Sequence, residues 1–166
     1  MGCYAADLLG FDPLKVERRL LVIVETDGCF ATGICAATGV SIGRRNLRIE
    51  DYGKVAATFT DTQRRTSLRL APRPGVRTLA SECAPAAPDA WQAMLEAYQQ
   101  IPDEQLMCWQ AVELRQSIEA IFSRPGIRTA CARCGEEIIN EREIVRDGQV
   151  LCQACAGEAY YRLVSG

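Results

Sequence analysis

Four of the nine cysteines in this 166-residue chain stand in two Cys-x-x-Cys pairs, Cys131-Ala-Arg-Cys134 and Cys152-Gln-Ala-Cys155, with 17 residues between them. Nine cysteines in a chain of this length supply about half of one such pair by chance, so the doubling carries the signal. Each pair presents two thiolates on a tight turn, and the two turns together complete a tetrahedral four-sulfur shell. Such a shell suits Zn2+ and leaves no open position for water or substrate. The expected ion is therefore one structural zinc per chain, held by Cys131, Cys134, Cys152 and Cys155. A thioredoxin-like redox reading lacks the strand-helix context it would need around either motif.

A second group of chemistry-bearing residues lies nearer the amino end. Glu25-Thr-Asp-Gly-Cys29 falls where an apolar strand meets a helix start, a place where backbone amides and the helix dipole favour a thiolate. Cys29 is thus the candidate nucleophile or redox thiol, with Asp27 to set its protonation. Asp51-Tyr-Gly-Lys54 adds Lys54 as a candidate catalytic amine, and Gly43-Arg44-Arg45-Asn46 makes Arg44 and Arg45 candidates for holding an anionic ligand. The plain reading of the same residues is a small buried side chain and two surface turns. Cys3, Cys35, Cys83 and Cys108 stand in Ala-rich or apolar surroundings and read as packing.

Composition narrows the chemistry further. The chain has no histidine, so it supplies no Ser-His or Cys-His pair and no imidazole metal ligand. Nineteen basic against 21 acidic residues give a net charge of -2, without the global basic field that attracts nucleic acid. From Cys131 onward, Arg133, Arg142, Arg146 and Arg162 face six acidic residues, so the metal module has no basic surface of its own for nucleic acid. The longest apolar run, Leu20 to Val24, is too short to cross a bilayer, and the amino end lacks a secretory signal pattern. A cytoplasmic protein with reduced thiols is the expectation.

The elements that must position these groups can be read along the chain. Met1 to Gly10 reads as a helix ended by Gly10, and a connection holding Pro13 leads to a strand from Arg19 to Glu25. Thr26 or Asp27 can cap a helix ending at Gly33 or Gly39. Leu47 to Tyr52, Lys54 to Thr60 and Ser67 to Ala71 read as strands, the last two joined as a hairpin. Val76 to Ala84 is weakly helical. Pro88 opens a helix to Gln99 with Trp91, Met94, Leu95 and Tyr98 on one face. A helical turn at Pro102 and a strand from Leu106 to Leu114 follow. Ser123-Arg-Pro-Gly126 is the break between a domain over residues 1–125 and a four-Cys domain over residues 126–166. In the latter, Asp147-Gly148 predicts a type I′ hairpin, and Ala156 to Leu163 a closing helix. Knuckle, hairpin, knuckle and helix make a treble-clef-like zinc finger after an α+β core.

The first half also carries a resemblance. Glu25-Thr-Asp-Gly-Cys29, Thr38-Gly39, Gly43-Arg44-Arg45-Asn46-Leu47 and Asp51-Tyr-Gly-Lys54 ahead of Phe59 resemble the FmdE-like family, named for a formylmethanofuran dehydrogenase component. The carboxyl end is similar to the zinc-finger tail that many members carry. The resemblance implies an α+β core with a cysteine-containing pocket, often metal-associated, in a homodimer. It makes Asp27, Cys29 and Lys54 the pocket candidates and a second metal in the core an expectation. Members usually carry a His-x-His-x-x-Cys-Pro-Gly-like segment just before a helix resembling Met1 to Leu9, so Met1 reads as an internal Met of a longer family protein. Thr32 stands where members commonly have Asp, and Val40 where many have Cys.

Three functions fit these residues. The first is a zinc-binding accessory protein for formylmethanofuran dehydrogenase-type or other metal- or cofactor-handling systems. The second is a thiol-dependent enzyme or redox protein working through Cys29. The third is a dimeric adaptor whose zinc finger docks a protein partner.

Overall fold

The computed structural model describes residues 1–10, 12, 15 and 19–164, and Pro13 lies outside the described residues. The chain forms two compact units, Met1–Arg115 and Gln116–Gly166. The division falls ahead of the expected break at residues 123–126. The short helix between the two points is tied into the second unit, where Arg142 Nη2 donates to the Ile121 carbonyl and Arg124 pairs with Glu141.

The first unit is a mixed α+β fold on a five-stranded sheet of order β2-β1-β3-β4-β5. Its strands are β1 (Leu20–Val24), β2 (Leu47–Ile49), β3 (Ala57–Asp61), β4 (Thr66–Pro72) and β5 (Met107–Val112). β1 and β2 run parallel, which requires a crossover, and α2 (Gly28–Thr38) supplies it. The remaining neighbours are antiparallel, with Val22 opposite Phe59 and Phe59 opposite Leu68. One face of the sheet buries Leu20, Val22, Val24, Phe59, Leu68 and Leu70 with Ala31 and Ile34 of α2 and Ala5 and Leu9 of α1 (Gly2–Leu9). Gly2 is where α1 meets α2: a Cβ there would fall 2.8 Å from Thr38 Cγ2 and 3.0 Å from Ala37 Cβ. Gly10 ends α1 at φ 73 and Gly39 ends α2 at φ 68, the left-handed geometry that a glycine adopts without strain.

Two ion pairs lock the sheet. Asp61, fully buried, accepts from Arg19 and from the amides of Gln63 and Arg64, closing the β3–β4 hairpin. Glu25, at the end of β1, accepts from Arg69 Nε at 2.6 Å and Nη2 at 2.7 Å.

After the sheet's hairpin come α3 (Val76–Cys83), α4 (Ala90–Ala97) and α5 (Asp103–Leu106). Pro88 precedes α4 rather than opening it. Asp89 is the cap, its carboxylate accepting from the Gln92 amide at 2.8 Å. The apolar stripe expected inside is mostly outside. α3 and α4 pack together through small residues, burying Ala80, Ala93 and Ala97, while Trp91 is 66% and Leu95 46% exposed. Alanines let two helix backbones approach closely, and the large side chains are left at the surface.

The second unit holds α6 (Ile118–Phe122) and two short hairpins, β6 (Arg128–Ala130) with β7 (Glu137–Ile139), and β8 (Ile144–Arg146) with β9 (Gln149–Leu151). Asp147 at φ 50 and Gly148 at φ 74 form the expected type I′ connection. The closing helix is shorter than its residues suggest, a single wide turn over Ala154–Glu158. Gly157 at φ 96 breaks it, and Tyr160 beyond is 98% exposed, with no buried face to hold further turns.

Candidate metal centre

The two Cys-x-x-Cys turns are brought together by the hairpins that flank them. Cys131 follows β6 and Cys134 precedes β7, while Cys152 follows β9 and Cys155 lies in the last helical turn. Each knuckle is closed by its own backbone: the Gly135 amide donates to the Cys131 carbonyl and the Ala156 amide to the Cys152 carbonyl, both at 2.9 Å. Gly135, at φ 77, takes the left-handed conformation the first turn needs.

The donor set fits a metal ion. All four sulfur atoms lie within 4.8 Å of one another. Cys134 Sγ and Cys152 Sγ are 3.9 Å apart, against an edge of about 3.8 Å for a tetrahedron with metal–sulfur bonds near 2.3 Å. Cys131 is buried and Cys134 is exposed, with the other two between.

Backbone amides point at the sulfurs, the Cys152 amide donating to Cys131 Sγ at 3.3 Å and the Cys155 amide to Cys152 Sγ at 3.4 Å. Hydrogen bonds from the amides of Cys134 and Cys152 draw the Cys131 thiol down to about 6. Burial, together with the neighbouring sulfurs, pushes Cys155 up to about 12. At Cys134 the Glu136 amide pulls the thiol down, but burial and the Cys131 sulfur outweigh it and the net shift is upward. Without a cation, then, the cluster favours one thiolate and resists the next. A divalent ion removes that conflict by neutralising the set.

The unit has little else to hold it. Its core consists of Cys131, Ile138, Leu151 and Ala156, with Ile144, Val150, Cys152 and Cys155 packed at the edge. A cluster this small does not offset chain entropy unaided.

The first unit places the other candidates less tightly. Cys29 is exposed in the first turn of α2, and Asp27 just before it is the N-cap residue but makes no side-chain cap bond. Gly28 enters the helix at φ 69, so the backbone does not adopt the path that lets a cap side chain reach the second and third amides. Lys54 is exposed, and its amide, like that of Tyr52, donates to the Glu25 carbonyl. Arg44 Nη1 donates to the Gly39 carbonyl at 3.0 Å, so this guanidinium caps the end of α2. Arg45 holds a left-handed φ of 64 in the same turn.

Cys29 borders a cavity of about 570 Å3, whereas Asp27, Lys54, Arg44 and Arg45 are not among the described residues lining it. The cavity lies between α2, α4, α5 and the start of β5, with Phe30, Met94, Tyr98 and Met107 in its wall. Local sequence pattern does not reveal it, because its walls come from segments far apart in the chain. The one local sign is Gly33, a glycine inside a helix. No helix among the described residues is long and apolar enough to cross a membrane.

Residues 1–123 match the family described as FmdE, Molybdenum formylmethanofuran dehydrogenase operon. The chain is also similar to the "Probable S-adenosyl-L-methionine-binding protein" of Archaeoglobus fulgidus, with 28% identity over 187 aligned positions covering 99% of this chain and 48% of the relative. It thus spans about half the length of that curated relative. Among solved structures, an FmdE-like protein of tungsten formylmethanofuran dehydrogenase from Syntrophus aciditrophicus superposes with a TM-score of 0.52. That match has 16% identity and covers 86% of this chain and 74% of the other, a likeness of fold.

Proposed function

The chain belongs to the FmdE family, and from that premise we propose that it is a zinc-holding accessory protein whose α+β core serves metal- or cofactor-handling systems of the formylmethanofuran dehydrogenase type. The observation that carries the metal part is the convergence of four sulfurs within 4.8 Å, at an edge length suited to Zn2+. The zinc is structural: all four positions of the shell are protein sulfurs, and the surrounding unit is too small to fold without it.

Metal analysis of protein purified without chelator tests this directly. One zinc per chain supports the reading, and an absence of zinc rejects it. The accessory role is tested in cells lacking the gene. Molybdenum or tungsten enzymes of the formylmethanofuran type should then carry less metal or cofactor, and full occupancy would reject the role. Homodimerisation follows from the family resemblance, and a light-scattering mass tests it. Docking of a protein partner through the finger is tested by deleting residues 126–166 and measuring partner capture.

A second reading, thiol chemistry at Cys29, is supported by its position on the cavity. It requires Cys29 to be alkylated faster than a model thiol at neutral pH. The name of the Archaeoglobus relative adds S-adenosyl-L-methionine to the ligands worth titrating into the core.

A further inference from the structure

Gly33 stands in the interior of α2, where glycine is among the poorest helix formers, and no close packing explains it. A Cβ built on Gly33 meets nothing within 4 Å, unlike Gly2 on the neighbouring helix, whose Cβ would strike Thr38. Its φ is not left-handed either, so an alanine would fit the backbone. The open space beside it is the core cavity, which Gly33 lines. Here the missing side chain keeps room free.

The wall around that space has a definite chemistry. Phe30 and Tyr98 contribute rings, and Met94 and Met107 contribute thioethers. Thioether sulfur makes favourable contacts with aromatic rings, and its unbranched chain adapts to the shape it meets. Aromatic walls prefer offset stacked or edge-on rings. The charged residues in the lining are Arg77 and Asp103, of opposite sign, so they supply no net field for an anion or a cation. A volume of about 570 Å3 lies within the range of small-molecule sites, far above the space a lone metal ion fills.

We propose that this cavity is a binding site for a flat, ring-bearing organic ligand without net charge, seated against Gly33 between the Phe30 and Tyr98 rings, with the Cys29 thiol at its edge. The proposal rests on the reading of the core as a cofactor handler and names the ligand class that core would take. It is independent of the zinc module.

The test uses the full zinc-loaded chain and 1-aminoanthracene, a neutral flat fluorophore. Wild-type protein should bind it saturably at one site per chain. Bound probe should slow iodoacetamide alkylation of Cys29 severalfold, while Cys3 and Cys83, exposed and outside the lining, react at unchanged rates. Gly33→Leu should weaken probe binding at least tenfold while its melting temperature stays at or above that of Gly33→Ala. Lack of saturable binding, equal protection of all three thiols, or wild-type affinity in a folded Gly33→Leu would each overturn the proposal. Should Gly33→Leu fail to fold, Gly33→Ala serves instead, with a measurable loss of affinity expected and unchanged affinity counting against the site. Zinc content is measured on the same samples. One zinc per chain with no probe binding rejects the cavity proposal alone, and missing zinc rejects the metal reading alone.

Discussion

Cys134 Sγ lies 3.9 Å from Cys152 Sγ, although 17 residues separate the two in the chain. The hairpins β6–β7 and β8–β9 each deliver one half of the shell, and the unit's few apolar residues do no more than fill the space between them.

Removal of the metal should therefore unfold the second unit and leave the first intact. Excess chelator is expected to abolish amide-exchange protection at Ile138 and Leu151 while Val22 and Phe59 stay protected. Cys152→Ser should do the same, because metal binding supplies on the order of 10 kcal/mol in modules of this kind. Retained protection at Leu151 after chelation would contradict a folding role for the ion.

Acid should weaken the first unit through Asp61. The Arg19 guanidinium beside it holds its carboxyl below the usual carboxylate range, aided by the Arg64 and Gln63 amides and opposed by burial. A group whose folded value is depressed stabilises the fold above its unfolded value, about 3.9, and loses that contribution as pH falls through the folded value. Urea melts from pH 7 downward should show stability dropping below about pH 4. In Asp61→Asn that acid-limb slope should be shallower, and identical slopes would assign the loss to other carboxylates.

The Glu25–Arg69 pair predicts an asymmetry. The Glu25 side chain is 9% exposed and that of Arg69 28%, so removing the arginine strands the more buried charge. Arg69→Met should cost roughly 2–4 kcal/mol, somewhat under the value for a fully buried pair because Arg69 keeps some solvent. Glu25→Gln should cost less, since the guanidinium it leaves behind can turn to water. Equal losses in denaturant melts would argue against this account.

Two glycines of the α2 segment should respond oppositely to alanine. Gly39 sits at φ 68, where a Cβ is strained, so Gly39→Ala should destabilise by about 1 kcal/mol. Gly33 has helical backbone and open space, so Gly33→Ala should stabilise by about 0.5–1 kcal/mol. Thermal melts of the two variants check the signs.

Much of the fold is legible in local pattern. The helix ends at Gly10 and Gly39, the β3–β4 hairpin and the Asp147-Gly148 turn depend on φ preferences and on neighbours a few residues apart, which the residues state directly. Trp91 and Leu95 mislead because periodicity identifies an apolar face without identifying what covers it. The small Ala93 and Ala97 take the buried side, since close helix packing favours small residues. The helix expected from Ala156 to Leu163 fails at Gly157, whose freedom at positive φ outweighs the good helix formers around it. Cys29, Asp27 and Lys54 are close in sequence, yet of the three only Cys29 lines the cavity among the described residues.

The zinc ligands follow from the order of residues alone, because four thiols at fixed short spacings restrict the metal and its geometry whatever surrounds them. The α+β class follows in the same way, through alternating strand and helix signals. Strand order, the buried partners of Glu25 and Asp61, and the cavity walled by Phe30, Met94, Tyr98 and Met107 emerge only once the chain is folded. Those depend on contacts between segments tens of residues apart. Chain connectivity leaves such contacts open, and packing selects among them.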